Sequence, residues 1–220
     1  RLHGLPYVLD AAARIPDDLL AAMRGMDQIW ATDPDADKAP KDQEIRYFVA
    51  HGRKIGLVRV SLAGDPALSE AASSGDALLA QAAARISEAK EQCDTVIVLV
   101  RWGTVGNLYP DAAQPDAAKV FAAAGADAVI GSGPRRLQGV TYVSGIPVAY
   151  SLGNFCSSDG LLYTALLQVT VDENGLARMR YLPCIQDGEG ARLLTAQEET
   201  DAFYHYVMAH SRGVGMDAEG

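Results

Sequence analysis

The chain has 220 residues, of which 49% are hydrophobic and 21% are charged, a profile typical of a globular domain that can bury a substantial core. Its net charge of −9 excludes the general basic footprint of a nucleic-acid-binding protein, so an anionic partner would require a local basic pocket. No apolar run is long enough to span a membrane, and three widely separated cysteines suit neither a disulfide scaffold nor a zinc site. Because the chain begins at Arg1 rather than at a methionine, we expect it to be processed or a piece of a longer protein. We expect one domain over residues 1–220.

Both ends of the chain are expected to be largely irregular, over residues 1–43 and 213–220. One short helix is predicted at residues 16–25, where a proline near the start and a glycine at the end frame an apolar face. Residues 32–42 are predicted to form an acidic loop. Its aspartates match part of the spacing of a calcium-binding EF-hand, but Lys38 stands where that motif requires glycine, so we interpret the segment as a solvated loop.

Helices and strands alternate in the middle of the chain. Apolar residues recur at helical spacing over residues 76–93, which predicts a helix. The run 95–100 is almost continuously apolar and β-branched, as in a strand that is buried on both faces. A second helix over 115–124, with a proline at its start, leads to a second buried strand at 128–130. This alternation predicts parallel strands joined by crossover helices.

Hairpins are predicted on both sides of this central unit. Residues 44–50 and 55–62 alternate around a glycine turn, as the strands of a β-hairpin do. Glycine- and asparagine-containing turns separate later strands, which are predicted at residues 140–143, 148–151, 163–171 and 176–182. A final helix is predicted over 195–210, with Thr195 as its N-cap and Glu198 as the capping-box partner.

Glycine-rich loops with arginines follow the two buried strands. The first is Arg101-Trp102-Gly103, and the second is Gly131-Ser132-Gly133-Pro134-Arg135. Ligands of open α/β sheets bind at the carboxyl ends of the strands, glycines allow close backbone approach, and arginines offer charged planar donors for carboxylate or phosphate. These loops therefore predict an anion pocket; the alternative is that the arginines are solvated surface residues.

The order of these segments resembles the poly-γ-glutamate capsule-synthesis family, CapA/PgsA. The matching segments are Val96–Gly103, Ala124–Asp127, Val129–Gln138 and Gly145–Phe155, which ends in Tyr-Ser-Leu-Gly-Asn-Phe. The resemblance covers most of the chain from about Glu44 onward. It implies an α/β fold of the α+β sandwich type, with a metallophosphatase-like two-sheet core flanked by helices and a shortened N-terminal part. It also implies a bacterial cell-surface or extracytoplasmic location and an association with the capsule-synthesis machinery.

The resemblance does not extend to the metal-binding side chains of the family. Its pattern has a His-Trp-Gly segment and a Gly-His-His-Pro-His loop, whereas this chain has Arg101 before the tryptophan and Ser132, Gly133 and Arg135 in the loop. Arginines restore positive charge without the Lewis acidity of a metal. We therefore predict an accessory domain without a cofactor that binds an anionic polymer or a small anion. Its expected ligand-binding residues are Arg101, Trp102, Gly103, Gly131, Ser132, Gly133, Arg135 and Asn154.

Two alternative functions stay open from the sequence. One is a metal-dependent hydrolase, a phosphoesterase or a peptidase-like enzyme, that holds Mn, Zn or Fe through atypical ligands. Its ligands would come from positions such as Asp127, Asp159, Asn107 or Asn154. The other is a purely structural or interaction module that retains only the fold. The aromatic side chains of Trp102 and Tyr109 either stack on a ligand or form the wall of their loop.

Overall fold

The structure, a computed structural model, describes residues 7–9, 29–31, 45–50, 52–62, 72–155, 160–187 and 190–215. Its strands are β1 (Tyr7–Leu9), β2 (Ile29–Ala31), β3 (Ile45–Ala50), β4 (Arg53–Ser61), β5 (Thr95–Arg101), β6 (Ala128–Ser132), β7 (Val140–Val143), β8 (Ile146–Ala149), β9 (Leu162–Asp172), β10 (Gly175–Gln186) and β11 (Ala191–Leu193). Its helices are α1 (Ala72–Gln92), α2 (Ala113–Ala123) and α3 (Gln197–Ala209). The predicted helix at 16–25 and the acidic loop at 32–42 lie outside the described residues, as do residues 216–220 of the predicted tail.

A six-stranded sheet forms the centre of the described fold, with the strand order β3-β4-β5-β6-β8-β7. Strands β4, β5, β6 and β8 run parallel, whereas β3 and β7 pair antiparallel at the two edges. The helices α1 and α2 connect the parallel strands, as the alternating pattern predicts. The parallel strands therefore bring their carboxyl ends to the same side of the sheet, together with the loops that follow them. This side, where the strands end, is the edge meant below, and it differs from the outer strands β3 and β7.

Apolar side chains of β5 fill the space on both faces of this sheet. Val96, Val98 and Val100 pack with residues of α1 and α2 such as Ile86 and Phe121 in the larger core cluster. Alternation along β5 turns Ile97 to the opposite face, where it joins a second cluster. The prediction of a strand that is buried on both faces is confirmed.

A three-stranded sheet, β11-β10-β9, packs on the second face of the central sheet. Contact between the two sheets involves Ile97 of β5 and Val169, Leu176 and Met179 of the β9–β10 hairpin. The helix α3 packs on the same hairpin through Phe203 and other apolar residues. The observed mixed α/β architecture, with sheets packed face to face and helices against them, confirms the predicted fold class.

Some element boundaries differ from the prediction. Helix α3 begins at Gln197 after the N-cap Ala196, which has no side-chain hydrogen bond to the helix. The predicted capping box of Thr195 and Glu198 is therefore wrong, because Thr195 lies one residue before the cap. Strand β8 ends at Ala149 rather than at residue 151. Among the described residues, none of the helices has the length and apolar character needed to cross a membrane.

Candidate functional site

The first two predicted loops lie side by side at the carboxyl ends of β5 and β6. Arg101 and Ser132 are neighbours in the parallel register of these strands, and the backbone N–H of Trp102 donates to the carbonyl of Ser132 at 2.9 Å. On the other side, the N–H of Leu62 donates to the carbonyl of Arg101 at 2.8 Å. The structure therefore brings together the candidate residues of both loops, as expected for ends of adjacent parallel strands.

The side chain of Trp102 is part of the core and only 2% exposed. Its indole ring stacks on Phe121 with ring centres 6.2 Å apart, and it lies 5.9 Å from the ring of Tyr150. Its Nε1–H donates to the carbonyl oxygen of Tyr150 at 2.9 Å. Of the two roles left open by the sequence, Trp102 therefore forms the wall of the loop, and its ring is covered by protein.

Three glycines of the site are required by the backbone and by the packing around Trp102. A Cβ on Gly131 would lie 2.1 Å from the carbonyl oxygen of Tyr150 and 2.4 Å from Nε1 of Trp102. At Gly133 a Cβ would lie 2.2 Å from the carbonyl oxygen of Trp102, and at Gly103 it would lie 2.7 Å from a side-chain oxygen of Gln114. Both Gly103 and Gly133 also have positive φ angles, which side chains disfavour. These glycines allow the neighbouring segments to pack in close contact, because a side chain at any of the three positions would clash.

The loop between β5 and α2 is held by the carboxylate of Asp111. Its two oxygens accept hydrogen bonds from the backbone N–H of Thr104 at 2.8 Å and from Nδ2 of Asn107 at 2.6 Å. Desolvation by itself raises the pKa of Asp111, but these hydrogen bonds stabilise the charged form and together bring the pKa below its ordinary value. The charged carboxylate of Asp111 therefore stabilises the conformation of this loop by accepting hydrogen bonds from within it.

Two buried glutamines connect this loop to the loop after β6. The side chain of Gln138 is fully buried, and its Nε2 donates to the carbonyl oxygens of Asn107 and Tyr109, each at 3.0 Å. Its Oε1 accepts from Nε2 of Gln114 at 3.4 Å, and Gln114 Oε1 accepts from the backbone N–H of Asp111 at 2.8 Å. Sequence reasoning missed this pair as site residues. The available signal was the Leu-Gln that ends the segment Val129–Gln138.

The two candidate arginines are exposed and carry their charge at this edge of the sheet. Arg101 is the last residue of β5, and Arg135 follows Pro134 in the second loop. Arg135 has a φ angle of 58°, a conformation that is uncommon for a long side chain. Within the described ranges, neither guanidinium group has a hydrogen bond or an ion pair with another residue. Each can therefore donate to a ligand without first breaking an internal contact.

The third motif reaches the same edge through Leu152, which pairs with Leu137 as an isolated antiparallel bridge. Asn154 follows two residues later, is partly buried, and already interacts with other groups of the protein. Tyr109 projects from the first loop, and its ring lies 4.9 Å from that of His210 at the end of α3. Tyr109 is nevertheless 57% exposed.

The four residues that stand in these loops at the family's metal-ligand positions do not fit a divalent metal ion. Arg101, Ser132, Gly133 and Arg135 offer neither the carboxylates nor the imidazoles that such ions prefer. In the part of the chain that the structure describes, no three His, Cys, Asp or Glu side chains are grouped so that they could hold a metal.

Of the atypical ligands of the hydrolase alternative, Asp127 lies away from these loops. Asp127 lies just before β6, at the opposite edge of the sheet from these loops, and accepts from Nζ of Lys90 at 2.8 Å and from the N–H of Val96 at 2.7 Å. Asp127 as a ligand at these loops is wrong, because its carboxylate is bound to Lys90 and Val96 near the amino ends of β5 and β6. Asp159 lies outside the described residues.

Comparisons with known proteins agree with the arrangement of these motifs. The model of the family described as "Bacterial capsule synthesis protein PGA_cap" matches residues 21–159. The chain is 36% identical over 101 residues to the PGA biosynthesis protein CapA of Bacillus subtilis (strain 168), covering 44% of this chain and 27% of that protein. It is 32% identical over 143 residues to the capsule biosynthesis protein CapA of Bacillus anthracis, covering 63% of this chain and 34% of that protein. The matches thus span about a third or less of the length of these relatives.

A solved structure, "GAP50 the anchor in the inner membrane complex of Plasmodium", superimposes with a TM-score of 0.44 at 8% identity, over 81% of this chain and 63% of that chain. This similarity is too low to support an argument. The family match alone covers more than half of the chain and includes all three of the motifs that build the site. The chain therefore belongs to the bacterial capsule synthesis protein family PGA_cap.

Proposed function

We propose that this chain is a capsule-biosynthesis domain that binds an anionic group, a carboxylate or a phosphate, at the carboxyl ends of β5 and β6. In this proposal Arg101 and Arg135 bind the anion at positions where the family's pattern has metal-ligating histidines. The observation that carries the proposal is that both arginines are exposed at this edge and have no acidic partner among the described residues. The family membership supports a ligand from capsule biosynthesis.

The backbone supports this use of the two arginines. Arg101 is fixed between Leu62 and Ser132 by strand hydrogen bonds, so little backbone freedom is lost when its side chain binds. Arg135 is held at a φ of 58°, which costs about 1–2 kcal/mol for a residue with a side chain. Such strain is characteristic of functional positions. Because the chain carries a net charge of −9, a local site of this kind is needed for an anion to bind at all.

The ligand, location and partners follow from the family in the same proposal. The names of the two Bacillus relatives, PGA biosynthesis and capsule biosynthesis proteins, favour an anionic capsule polymer such as poly-γ-glutamate. They also favour a place at the bacterial cell surface with the capsule-synthesis machinery. Because the described residues include no group of three His, Cys, Asp or Glu side chains placed to hold a metal, the proposal is recognition of the polymer rather than its hydrolysis.

Isothermal titration with oligo-γ-glutamate and, separately, with inorganic phosphate tests this function. Arg101→Ala and Arg135→Ala should each weaken binding by about tenfold or more, since hydrogen bonds to charged groups contribute about 1.5–3 kcal/mol. Arg212→Ala is the matched control, because Arg212 is exposed beside β7 and uses only its backbone to pair with Thr141. Absence of binding to both anions, or equal losses in all three variants, would show that the proposal is wrong.

A further inference from the structure

The loop after β5 exposes apolar side chains at the edge of the sheet that carries the candidate anion site. Val105 is 60% exposed, Leu108 is 41% exposed and Tyr109 is 57% exposed. These three residues, here called the loop tip, lie within five positions of one another. Exposed apolar side chains are usually scattered singly over a surface, and a cluster of them indicates a contact with another body.

The backbone that carries the loop tip is firmly held. The N–H of Gly106 donates to the carbonyl of Pro134 at 2.8 Å, and Gln138 binds the carbonyl of Tyr109 from inside. The N–H of Asn107 donates to the carbonyl of Thr104 at 3.2 Å. Because hydrogen bonds within the loop and to the neighbouring segment at Pro134 and Gln138 hold this backbone, the tip is displayed in one conformation. Burying it would therefore cost little conformational entropy.

Positive charge lies beside the loop tip. Arg101 precedes the loop directly, and Arg135 follows Pro134, whose carbonyl the loop itself contacts through Gly106. The one carboxylate within this loop, that of Asp111, stays charged because its donors on Thr104 and Asn107 are neutral, so the two arginines face a single negative charge of the loop. The tip and its surroundings thus combine apolar side chains with cationic groups, although the chain as a whole is acidic.

We propose that the loop tip docks the domain on an anionic lipid surface, with Val105 and Leu108 entering the apolar boundary and the arginines contacting headgroup phosphates. A stable protein–protein interface buries about 800 Å² on each partner and involves roughly 20–30 residues a side. A tip of three apolar side chains is much smaller than that. It resembles the apolar-plus-basic composition with which proteins lie at a membrane interface, where an apolar anchor and basic charge act together.

Sedimentation with vesicles tests this inference on the whole chain. The protein should bind vesicles of phosphatidylglycerol and phosphatidylcholine, and bind less to vesicles of phosphatidylcholine alone. Val105→Ser combined with Leu108→Ser should lower the partition coefficient by about tenfold or more, given the transfer free energies of these side chains. Arg135→Ala should lower it by about fivefold, the effect expected for one basic residue near an anionic surface.

The matched control removes the same residue types elsewhere. Val49→Ser combined with Leu193→Ser changes side chains that are 75% and 49% exposed on β3 and β11, and it should leave vesicle binding unchanged. The inference is overturned if the native chain does not bind anionic vesicles, or if the control pair weakens binding as much as the tip pair. It is also overturned if sedimentation in solution shows a dimer that only the tip pair dissociates, since the tip would then bind a second copy.

The docking inference and the proposed anion binding can be tested separately, although both involve Arg101 and Arg135. The tip variant Val105→Ser with Leu108→Ser keeps Arg101 and Arg135. It should therefore bind inorganic phosphate and oligo-γ-glutamate as the native chain does. Failure of phosphate binding alone, with vesicle binding intact, would reject the proposed function and leave the docking inference standing.

Discussion

The indole N–H of Trp102 and the carbonyl oxygen of Tyr150 are joined by a buried hydrogen bond of 2.9 Å. This bond links the loop after β5 to the segment after β8, which are 48 positions apart in the chain. It passes so close to Gly131 that a Cβ there would meet both groups. The three motifs of the site are thus connected through one tryptophan, which places the arginines at a fixed edge of the sheet.

Trp102→Phe should lower the free energy of unfolding by about 2–4 kcal/mol, because it removes buried volume and leaves the Tyr150 carbonyl without its donor. Urea unfolding followed by circular dichroism measures this loss. Tyr142→Phe, at a position that is 60% exposed, should stay within about 0.5 kcal/mol of the native chain. A Trp102→Phe variant as stable as that control would contradict the role given to the indole.

Two glycine substitutions should have opposite effects. Gly131→Ala introduces a Cβ 2.1 Å from the Tyr150 carbonyl oxygen, so it should destabilise the protein by at least about 3 kcal/mol or prevent folding. Gly75→Ala lies in helix α1, where a Cβ meets nothing within 4 Å, and should raise stability by about 0.5–1 kcal/mol. Thermal unfolding of both variants checks this, and the same sign of change in both would contradict the packing described.

Removal of the Gln138 amide should loosen the loop between β5 and α2. Gln138→Leu keeps a similar volume but leaves the carbonyls of Asn107 and Tyr109 unpaired, at an expected cost of about 1–3 kcal/mol. Hydrogen exchange should become faster at the N–H of Thr104, which bonds to Asp111 within the loop, and at the N–H of Gly106, which bonds to Pro134 of the neighbouring loop. Gln168→Leu, on an exposed part of β9, is the control. Unchanged exchange at Thr104 and Gly106 would show that Gln138 does not hold the loop.

Burial raises the pKa of Tyr150 from its ordinary 10.0 to about 12. The folded protein therefore holds this proton more tightly than the unfolded chain, and the resulting stability is present below pH 10 and lost as the pH rises toward 12. Relative to Tyr150→Phe, the native chain should lose about 2–3 kcal/mol across this window, from the equivalence of one pKa unit and 1.36 kcal/mol. Urea unfolding at several alkaline pH values measures it. A constant difference between the two proteins would contradict the burial of the hydroxyl.

Local pattern was sufficient to predict much of the fold. Val96, Val98 and Val100 alternate with other apolar residues, which indicated burial on both faces of β5, and the turn at 172–175 indicated the β9–β10 hairpin. The predicted cap at Thr195 was wrong by one residue, because Ala196 occupies the N-cap position with an extended backbone although its side chain has no oxygen for capping. Boundaries of this kind are decided by tertiary contacts rather than by the local sequence.

The interior of the site was less accessible to prediction because its contacts join distant parts of the chain. Gln138 contacts Asn107 and Tyr109 across about 30 positions, and nothing near Gln138 in sequence indicates a polar partner. Trp102 was assigned two alternative roles for the same reason, since its burial depends on Phe121 and Tyr150. The glycines were recognised as important, but their packing against the indole could be seen only in three dimensions.

The central claim is that Arg101 and Arg135 hold one anion together. A double-mutant cycle for phosphate binding tests this claim most directly. Isothermal titration would compare the native chain, Arg101→Ala, Arg135→Ala and the double variant. If both guanidinium groups contact the same anion, their losses should be non-additive by about 0.5–3 kcal/mol. Strictly additive losses, or binding of phosphate by the double variant as tightly as by the native chain, would contradict the account.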